Sequence, residues 1–274
     1  MKRLIIGAGH VGRELIARWV RAGEPPVATA RSPRRAAELA ALGATPLEVD
    51  VLAPATLDAL PEVDVAVWCV GHDRAAGPGI REVYVQGLAN ALARLRCARL
   101  VYTSSTGVYG ATAGDEVDET SPTQPEDAGG TATLEAEQLL RAQRPDAIVL
   151  RLAGLYGGDR VIGRRQVEQR TPLTGDPERW LNLVHHEDAA AAVDLAARQA
   201  APGALYDVAD GHPLSRRAYY EALAHALGAP PPTFTGSGPR GAGRRVMARR
   251  IRAELGFAPR WPSFSAALPA LIGA

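Results

Sequence analysis

The chain is predicted to be a doubly wound α/β protein: a parallel sheet with helices on both faces and a small C-terminal lobe. Three observations predict it. Short apolar runs alternate with helically patterned stretches as far as residue 153. A glycine pattern, Gly7-Ala8-Gly9-His10-Val11-Gly12, joins the first apolar run to the first helical stretch. Apolar residues make up 46% of the chain, ample for one large core.

Taken in order, Arg3 to Ile6 reads as a buried strand and Val11 to Trp19 carries apolar residues at helical spacing. Gly7 permits the tight turn between them, Gly9 lets the backbone approach a pyrophosphate, and Gly12 lets the helix pack closely on the strand. Pro26 to Ala30 reads as the second strand, Arg34 to Leu42 as the second helix, and Thr45 to Val49 as the third strand, closed by Asp50. A short helix is expected over Ala55 to Leu60, a fourth strand over Val63 to Val70, and a long helix over Ile80 to Leu95. Arg99 to Thr103 forms a fifth strand, Thr131 to Ala142 a helix, and Ala147 to Arg151 a sixth strand. Such alternation gives βαβ units, and right-handed crossovers wind them into a sheet covered on both faces.

After Arg151 the rhythm breaks at Gly154-Leu155-Tyr156-Gly157-Gly158. Leu181 to Val184 is a short strand, Glu187 to Ala200 an Ala-rich helix, and Ala204 to Val208 one more core strand. From Ser215 onward, helices are interrupted by Pro230-Pro231-Pro232 and by the glycine-rich residues Gly236 to Gly243. The expected organisation is a dinucleotide-binding domain over residues 1–153, completed by 181–210. Residues 154–180 and 211–274 would form a smaller substrate lobe over the carboxyl edge of the sheet.

The net charge of +1 gives no global field for nucleic acid or a membrane surface, and neither partner is expected. No apolar run has the length of a membrane span. The chain opens directly on a strand, so no leader is expected and cytoplasmic residence is the default. Cys69 and Cys97 read as reduced core residues.

In such a sheet the ligand binds beyond the carboxyl ends of the strands. Gly7, Gly9, His10, Val11 and Gly12 are the candidate pyrophosphate loop, with the following helix offering free N–H groups. The second strand ends in Ala30-Arg31-Ser32 rather than in an acid. An acid there would accept bonds from a ribose 2′-hydroxyl, whereas a guanidinium pairs with a 2′-phosphate. Arg31 and Ser32 therefore point to NADP, with NAD possible, while Arg34 and Arg35 also read as a solvated helix face. Asp50 is either an adenine-edge contact or a turn residue, and Val70, Gly71, Thr103 and Ser104 are expected to line the same cleft.

Several motifs in order then resemble the short-chain dehydrogenase/reductase superfamily, in its atypical or extended epimerase/dehydratase form. They are the Gly7–Gly12 turn, one residue tighter than the extended pattern, Tyr84-Val85-Gln86-Gly87-Leu88, Val101-Tyr102-Thr103-Ser104-Ser105-Thr106-Gly107-Val108-Tyr109-Gly110, Arg151-Leu152-Ala153-Gly154-Leu155-Tyr156-Gly157, and Asn182-Leu183-Val184-His185-His186-Glu187-Asp188-Ala189. The resemblance implies a Tyr-x-x-x-Lys pair that moves a proton beside the nicotinamide. This chain has Gly129 and Thr133 at those positions, and its sole lysine is Lys2. The one Tyr-x-x-x-Arg, Tyr156 to Arg160, falls on the wrong loop.

By the same resemblance Ser105 stands at the catalytic serine, with Tyr109 as a displaced acid and Thr133, beside Thr131, as a group to orient ribose or water. Each also has a structural reading: a strand-end cap for Ser105, packing for Tyr109, helix capping for the threonines. His10 reads as a solvent-facing spacer. His185 and His186 are adjacent and are expected to point apart, against a shared metal. Arg240, Arg244, Arg245, Arg249, Arg250 and Arg252 read either as a solvated helix face or as a patch for an anionic substrate group. Two functions follow. One is an NAD(P)-dependent oxidoreductase or epimerase on a small or sugar-like carbonyl or alcohol; the other is a non-catalytic NADP-binding sensor or scaffold. Either a monomer or a homodimer fits the sequence.

Overall fold

The computed structural model describes residues 1–73, 77–236 and 242–273. The first half alternates as expected: β1 (Arg3–Ile6), α1 (His10–Arg21), β2 (Val27–Ala30), α2 (Pro33–Ala41), β3 (Thr45–Glu48), β4 (Val63–Trp68), α3 (Gly87–Leu92) and β5 (Cys97–Ser105). There follow β6 (Ala113–Val117), α4 (Ala128–Gln143), β7 (Ile148–Leu152), β8 (Gly154–Tyr156), α5 (Arg164–Glu168), β9 (Trp180–Leu181), β10 (Leu183–His185), α6 (His186–Gln199) and β11 (Leu205–Val208). The chain closes with β12 (Leu214–Ser215), α7 (Arg216–Ala226), β13 (Gly243–Val246), α8 (Arg249–Leu255) and α9 (Phe264–Ile272).

Seven strands form one sheet in the order β3-β2-β1-β4-β5-β7-β11. Every neighbouring pair is parallel. This is the doubly wound architecture the alternation predicts. Strand alternation splits the core between two faces. Ile5, Val65, Val67 and Val101 meet Leu15, Ile16 and Trp19 of α1 and the alanines of α6 on one face. Leu4, Ile6, Trp68 and Tyr102 meet Leu88, Ala136 and Leu140 of α3 and α4 on the other. The run Ala189 to Ala197 suits α6 to this place, because small side chains let it pack close to α1 and the sheet.

A third cluster gathers Tyr156, Tyr219, Tyr220, Leu223, Phe264 and Leu268. It draws on the segments expected to form the smaller lobe. α8 does not join it: Ile251 and Leu255 belong to the first-face core of the main sheet. β13 pairs in parallel with β6, tying residues 243–246 to the loop after β5. That pair escapes sequence reading because Gly114, Asp115 and Glu116 interrupt any apolar alternation.

The helix expected over Ile80 to Leu95 runs without a gap over residues 80–92, with a π-helical turn, Glu82–Gln86, leading into α3. The end of that turn has a packing partner. A Cβ on Gly87 would stand 2.8 Å from Val51 Cγ2, so the helix passes very close to the loop after β3. No helix among the described residues is long and apolar enough to cross a membrane. Both cysteines are free. Cys69 is buried and its thiol is pushed up to about 12 by burial, whereas Cys97 is only half-buried.

Candidate cofactor cleft and adjoining cavity

The carboxyl end of β1 turns through Gly7 at φ +86°, where a Cβ would lie 2.6 Å from Val70 Cα. Gly7 donates its N–H to Thr29 Oγ1 at 3.0 Å, which fixes the turn to β2. A Cβ on Gly12 would stand 3.0 Å from the Gly7 carbonyl, while one on Gly9 meets nothing within 4 Å. Gly7 and Gly12 thus serve close packing, and Gly9 leaves open space at the helix start. Gly9 is also the N-cap of α1 and supplies no side-chain cap. The first-turn N–H groups and the positive end of the dipole remain for an anion. The expected pyrophosphate loop is therefore a fit on its own geometry. Val11 is buried beneath it and His10 is exposed, its ring 6.2 Å from that of His186. Burial, then Arg160, pulls the His10 pKa below its usual value.

At the end of β2, Arg31 is 51% exposed and stands 4.0 Å from the Asp73 carboxylate. Glu38 engages Arg13, Arg34 and Arg35, so Arg34 and Arg35 are partnered within the α2 surface. Ser32 caps α2, accepting the Arg35 N–H at 3.4 Å. Asp50 accepts the Leu52 N–H at 2.9 Å, the bond of a turn aspartate. Gly71, beyond β4, has open space where a Cβ would be.

At the carboxyl end of β5 the hydroxyls are sorted by the strand. Thr103 donates to the Trp68 carbonyl at 3.0 Å, and Ser104 donates to Glu137. Both were expected to line the cofactor cleft, but their hydroxyls are committed to the fold. Ser105 is half-buried and accepts the Gly107 N–H at 3.0 Å, capping the 3-10 turn Thr106–Val108. That cap uses a lone pair, and the Ser105 hydroxyl proton remains available to a substrate oxygen.

Tyr109 departs from the expectation of a displaced acid. It is 1% exposed, and its hydroxyl donates to Asp207 at 3.0 Å while accepting from Arg151 at 2.9 Å. Burial and the Asp207 charge push its pKa up, away from acid chemistry at neutral pH. The same network continues through Arg151 to Glu137, a buried pair at 2.7 Å, and on to Ser104. Thr133 departs as well. It is 4% exposed and donates to the Gly129 carbonyl at 2.8 Å, as Thr131 does to Asp127. Asp127 is the actual cap of α4, accepting the Gly130 N–H at 2.7 Å. A Cβ on Gly130 would lie 2.4 Å from the Gly107 carbonyl, so α4 begins pressed against the Ser105 turn. Tyr156, the only tyrosine with a basic residue four places on, is fully buried.

His185 and His186 do not point apart. Their rings stack with centroids 4.5 Å apart, because His185 accepts the Glu187 N–H to cap α6 while His186 begins the helix. Burial lowers the His185 pKa to about 4. Among the described residues no cluster of three metal-ligating side chains occurs.

The basic run separates into different roles. Arg249 and Arg250 are surface partners of Glu116 and Glu254. Arg252 donates to the Asp210 carbonyl, and Arg245 lies over the Trp180 ring at 5.6 Å. Arg240 lies outside the described residues. Arg244 turns inward, donating to the Thr106 carbonyl at 2.7 Å beside a cavity of about 200 Å³ next to the Ser105 turn. Arg179, Trp180 and Asn182 also line that cavity. Arg179 and Trp180 were not singled out in the sequence; Asn182 entered only as the start of a family-like motif, and Arg244 as part of the basic run. Asn182 positions Arg244 by donating to its carbonyl at 3.0 Å and accepting the Val246 N–H at 2.6 Å.

Residues 7–193 match the family model described as NAD(P)H-binding. The chain is 37% identical over 211 residues to Protein YeeZ of Escherichia coli (strain K12), covering 75% of this chain and 74% of that protein. It is 33% identical over 163 residues to the 2'-dehydrokanamycin reductase of Streptomyces kanamyceticus, covering 52% of this chain and 46% of that one. In three dimensions it resembles DesIV, the dTDP-glucose 4,6-dehydratase of Streptomyces venezuelae solved with NAD and TYD bound. The TM-score is 0.85 at 21% identity, over 100% of this chain and 96% of that one, a likeness of fold.

Proposed function

The chain belongs to the NAD(P)H-binding family of the short-chain dehydrogenase/reductase type, and on that premise we propose that it is an NADP-dependent oxidoreductase or epimerase acting on a small carbonyl or alcohol. One juxtaposition carries the reading: the uncapped start of α1 beside Gly9 shares the sheet's carboxyl edge with the available Ser105 hydroxyl. Gly7, Gly9 and the first turn of α1 would hold the pyrophosphate, and Arg31 would hold the 2′-phosphate. The bound nicotinamide supplies or accepts a hydride.

Ser105 orients the substrate oxygen by donating its hydroxyl proton as a hydrogen bond. A serine is a poor acid at neutral pH, and the Tyr-x-x-x-Lys pair is missing from the sequence. With Tyr109 sealed in the core, proton exchange with the substrate oxygen falls to water at the Ser105 edge. The reductase among the curated relatives supports carbonyl reduction as the direction. The test is NADPH oxidation across a panel of small ketones and aldehydes, with Ser105→Ala alongside. We expect turnover in the wild type and a loss of about 100-fold or more in the variant, the scale of one charge-stabilising donor. NADPH binding without turnover on any member of the panel favours the non-catalytic sensor instead.

A further inference from the structure

Two guanidinium groups, Arg179 and Arg244, line the cavity beside the Ser105 turn, and among the described residues no carboxylate lines it. Arg179 contacts Glu126, and Arg244 Nη1 stands 3.7 Å from the same carboxylate. Both guanidinium groups thus meet Glu126, and Arg244 also feels the Asp127 charge. Both side chains are well buried, at 18% and 14% exposure. Each keeps a buried nitrogen with no partner among the described residues, Arg179 Nη1 and Arg244 Nε. A buried donor left unpaired costs free energy, and more so on a charged group. Such an arrangement suits a site that a ligand completes.

The scaffold around the two arginines is fixed by main-chain bonds. Trp180 donates its N–H to the Ala242 carbonyl at 2.8 Å, and the Arg179 carbonyl accepts from the Arg216 N–H at 2.9 Å. Arg244 is pinned from its own side chain to Thr106, the residue after Ser105. Size narrows the ligand. A cavity of about 200 Å³ is smaller than the roughly 300–1,000 Å³ of sites for drug-sized ligands. The cavity holds a compact oxyanion with a short carbon chain within its walls, whereas a nucleotide-linked sugar would extend beyond them.

From this juxtaposition we infer that the cavity is an oxyanion subsite: the substrate is a small carbonyl or alcohol bearing a carboxylate or phosphate, gripped by Arg179 and Arg244 with its reactive oxygen at Ser105. The inference rests on the reading of the Ser105 edge as the reaction site, and it supplies the substrate class that reading lacks. A guanidinium pair gives forked donors for either anion.

The test is isothermal titration of the full chain, with and without saturating NADP, using inorganic phosphate, malonate and UDP-glucose as probes. We expect one-site binding of phosphate or malonate, weakened at least about tenfold in Arg179→Gln and in Arg244→Gln, as charge-assisted bonds are lost. NADPH affinity should be unchanged in both. Tighter phosphate binding identifies a phosphorylated substrate, and tighter malonate binding a carboxylate. Arg244 braces the Thr106 carbonyl, so its variant risks misfolding; the Arg179 side chain braces no carbonyl, and Arg179→Gln keeps the claim open to refutation. Equal anion binding by wild type and a folded Arg179→Gln overturns the subsite, as does a preference for UDP-glucose. If NADPH binds and neither small anion does, the subsite fails and the cofactor reading stands. If Arg179-dependent anion binding occurs without NADPH binding, the cofactor reading fails and the subsite stands.

Discussion

Replacing Arg31 by alanine tests the cofactor choice most directly. In the protein without cofactor, Arg31 and Asp73 are 51% and 58% exposed and 4.0 Å apart. An ion pair that exposed and that loose contributes about 0–1 kcal/mol. Little is lost when Arg31 swings toward a 2′-phosphate, and a charge-assisted bond there contributes about 1.5–3 kcal/mol. The difference, about 0.5–3 kcal/mol, converts to about 2- to 150-fold in Kd. NADH has no 2′-phosphate, so its affinity should change by no more than about twofold, the scale of an exposed substitution. The assay is a fluorescence titration of NADPH and NADH against wild type and Arg31→Ala at low and high salt. The wild-type preference for NADPH should shrink with salt, because an exposed contact is screened. Arg35→Ala is the control, since Arg35 is already partnered by Glu38. An unchanged ratio of NADPH to NADH affinity in Arg31→Ala would refute the assignment.

The remaining predictions concern the glycine turn and the buried network. Gly9→Ala should leave Tm unchanged yet weaken NADPH binding, because its Cβ meets no protein atom but occupies the approach to the phosphates. Gly7→Ala should instead unfold the protein at lower temperature by about 1–3 kcal/mol, the cost of a strained φ together with the Val70 clash; equal effects of the two in a melt would be inconsistent with this geometry. In the network, burial, with Glu119 and Asp118 nearby, pushes the Asp207 carboxyl up to about 7, and Tyr109 and Arg151 pull against it. The folded state then holds that proton more tightly than the unfolded state, whose pKa is about 3.9. The stability it contributes is complete below about pH 4 and is lost as pH rises through about 7. Denaturant unfolding of wild type and Asp207→Asn from pH 5 to pH 8 should show the wild type losing ground with pH relative to the variant, and parallel profiles would contradict the shift. Tyr109→Phe should cost about 1–3 kcal/mol in the same assay, as Asp207 and Arg151 lose their shared hydroxyl.

Periodicity made the main sheet legible. Ile5, Val67 and Val101 alternate with Leu4, Trp68 and Leu100 across two faces, and that alternation is local information. The glycine turn was legible as a pattern, but only Gly12 has its close approaches within a few residues; Gly7 is required by Val70, which follows β4. The site chemistry was legible only in part. Tyr109 and Ser105 are both hydroxyls near one motif, and nothing in their spacing says that one caps the next turn while the other meets Asp207, 98 positions away. The same holds for Thr133, whose hydroxyl turns back on its own helix. β6 and β13 were hidden because short, polar strands are stabilised by pairing rather than by their own pattern.

By itself, then, the sequence determined the doubly wound sheet, the glycine turn between β1 and α1, the arginine at the end of the second strand and the absence of a tyrosine–lysine pair, since each is a matter of residue type or of pattern along the chain. Tertiary structure decided which hydroxyl is available, stacked the two histidines, and brought Arg179 and Arg244 from separate stretches to one cavity beside Ser105. Side-chain burial and charge pairing depend on elements distant along the chain, and folding alone brings those elements together.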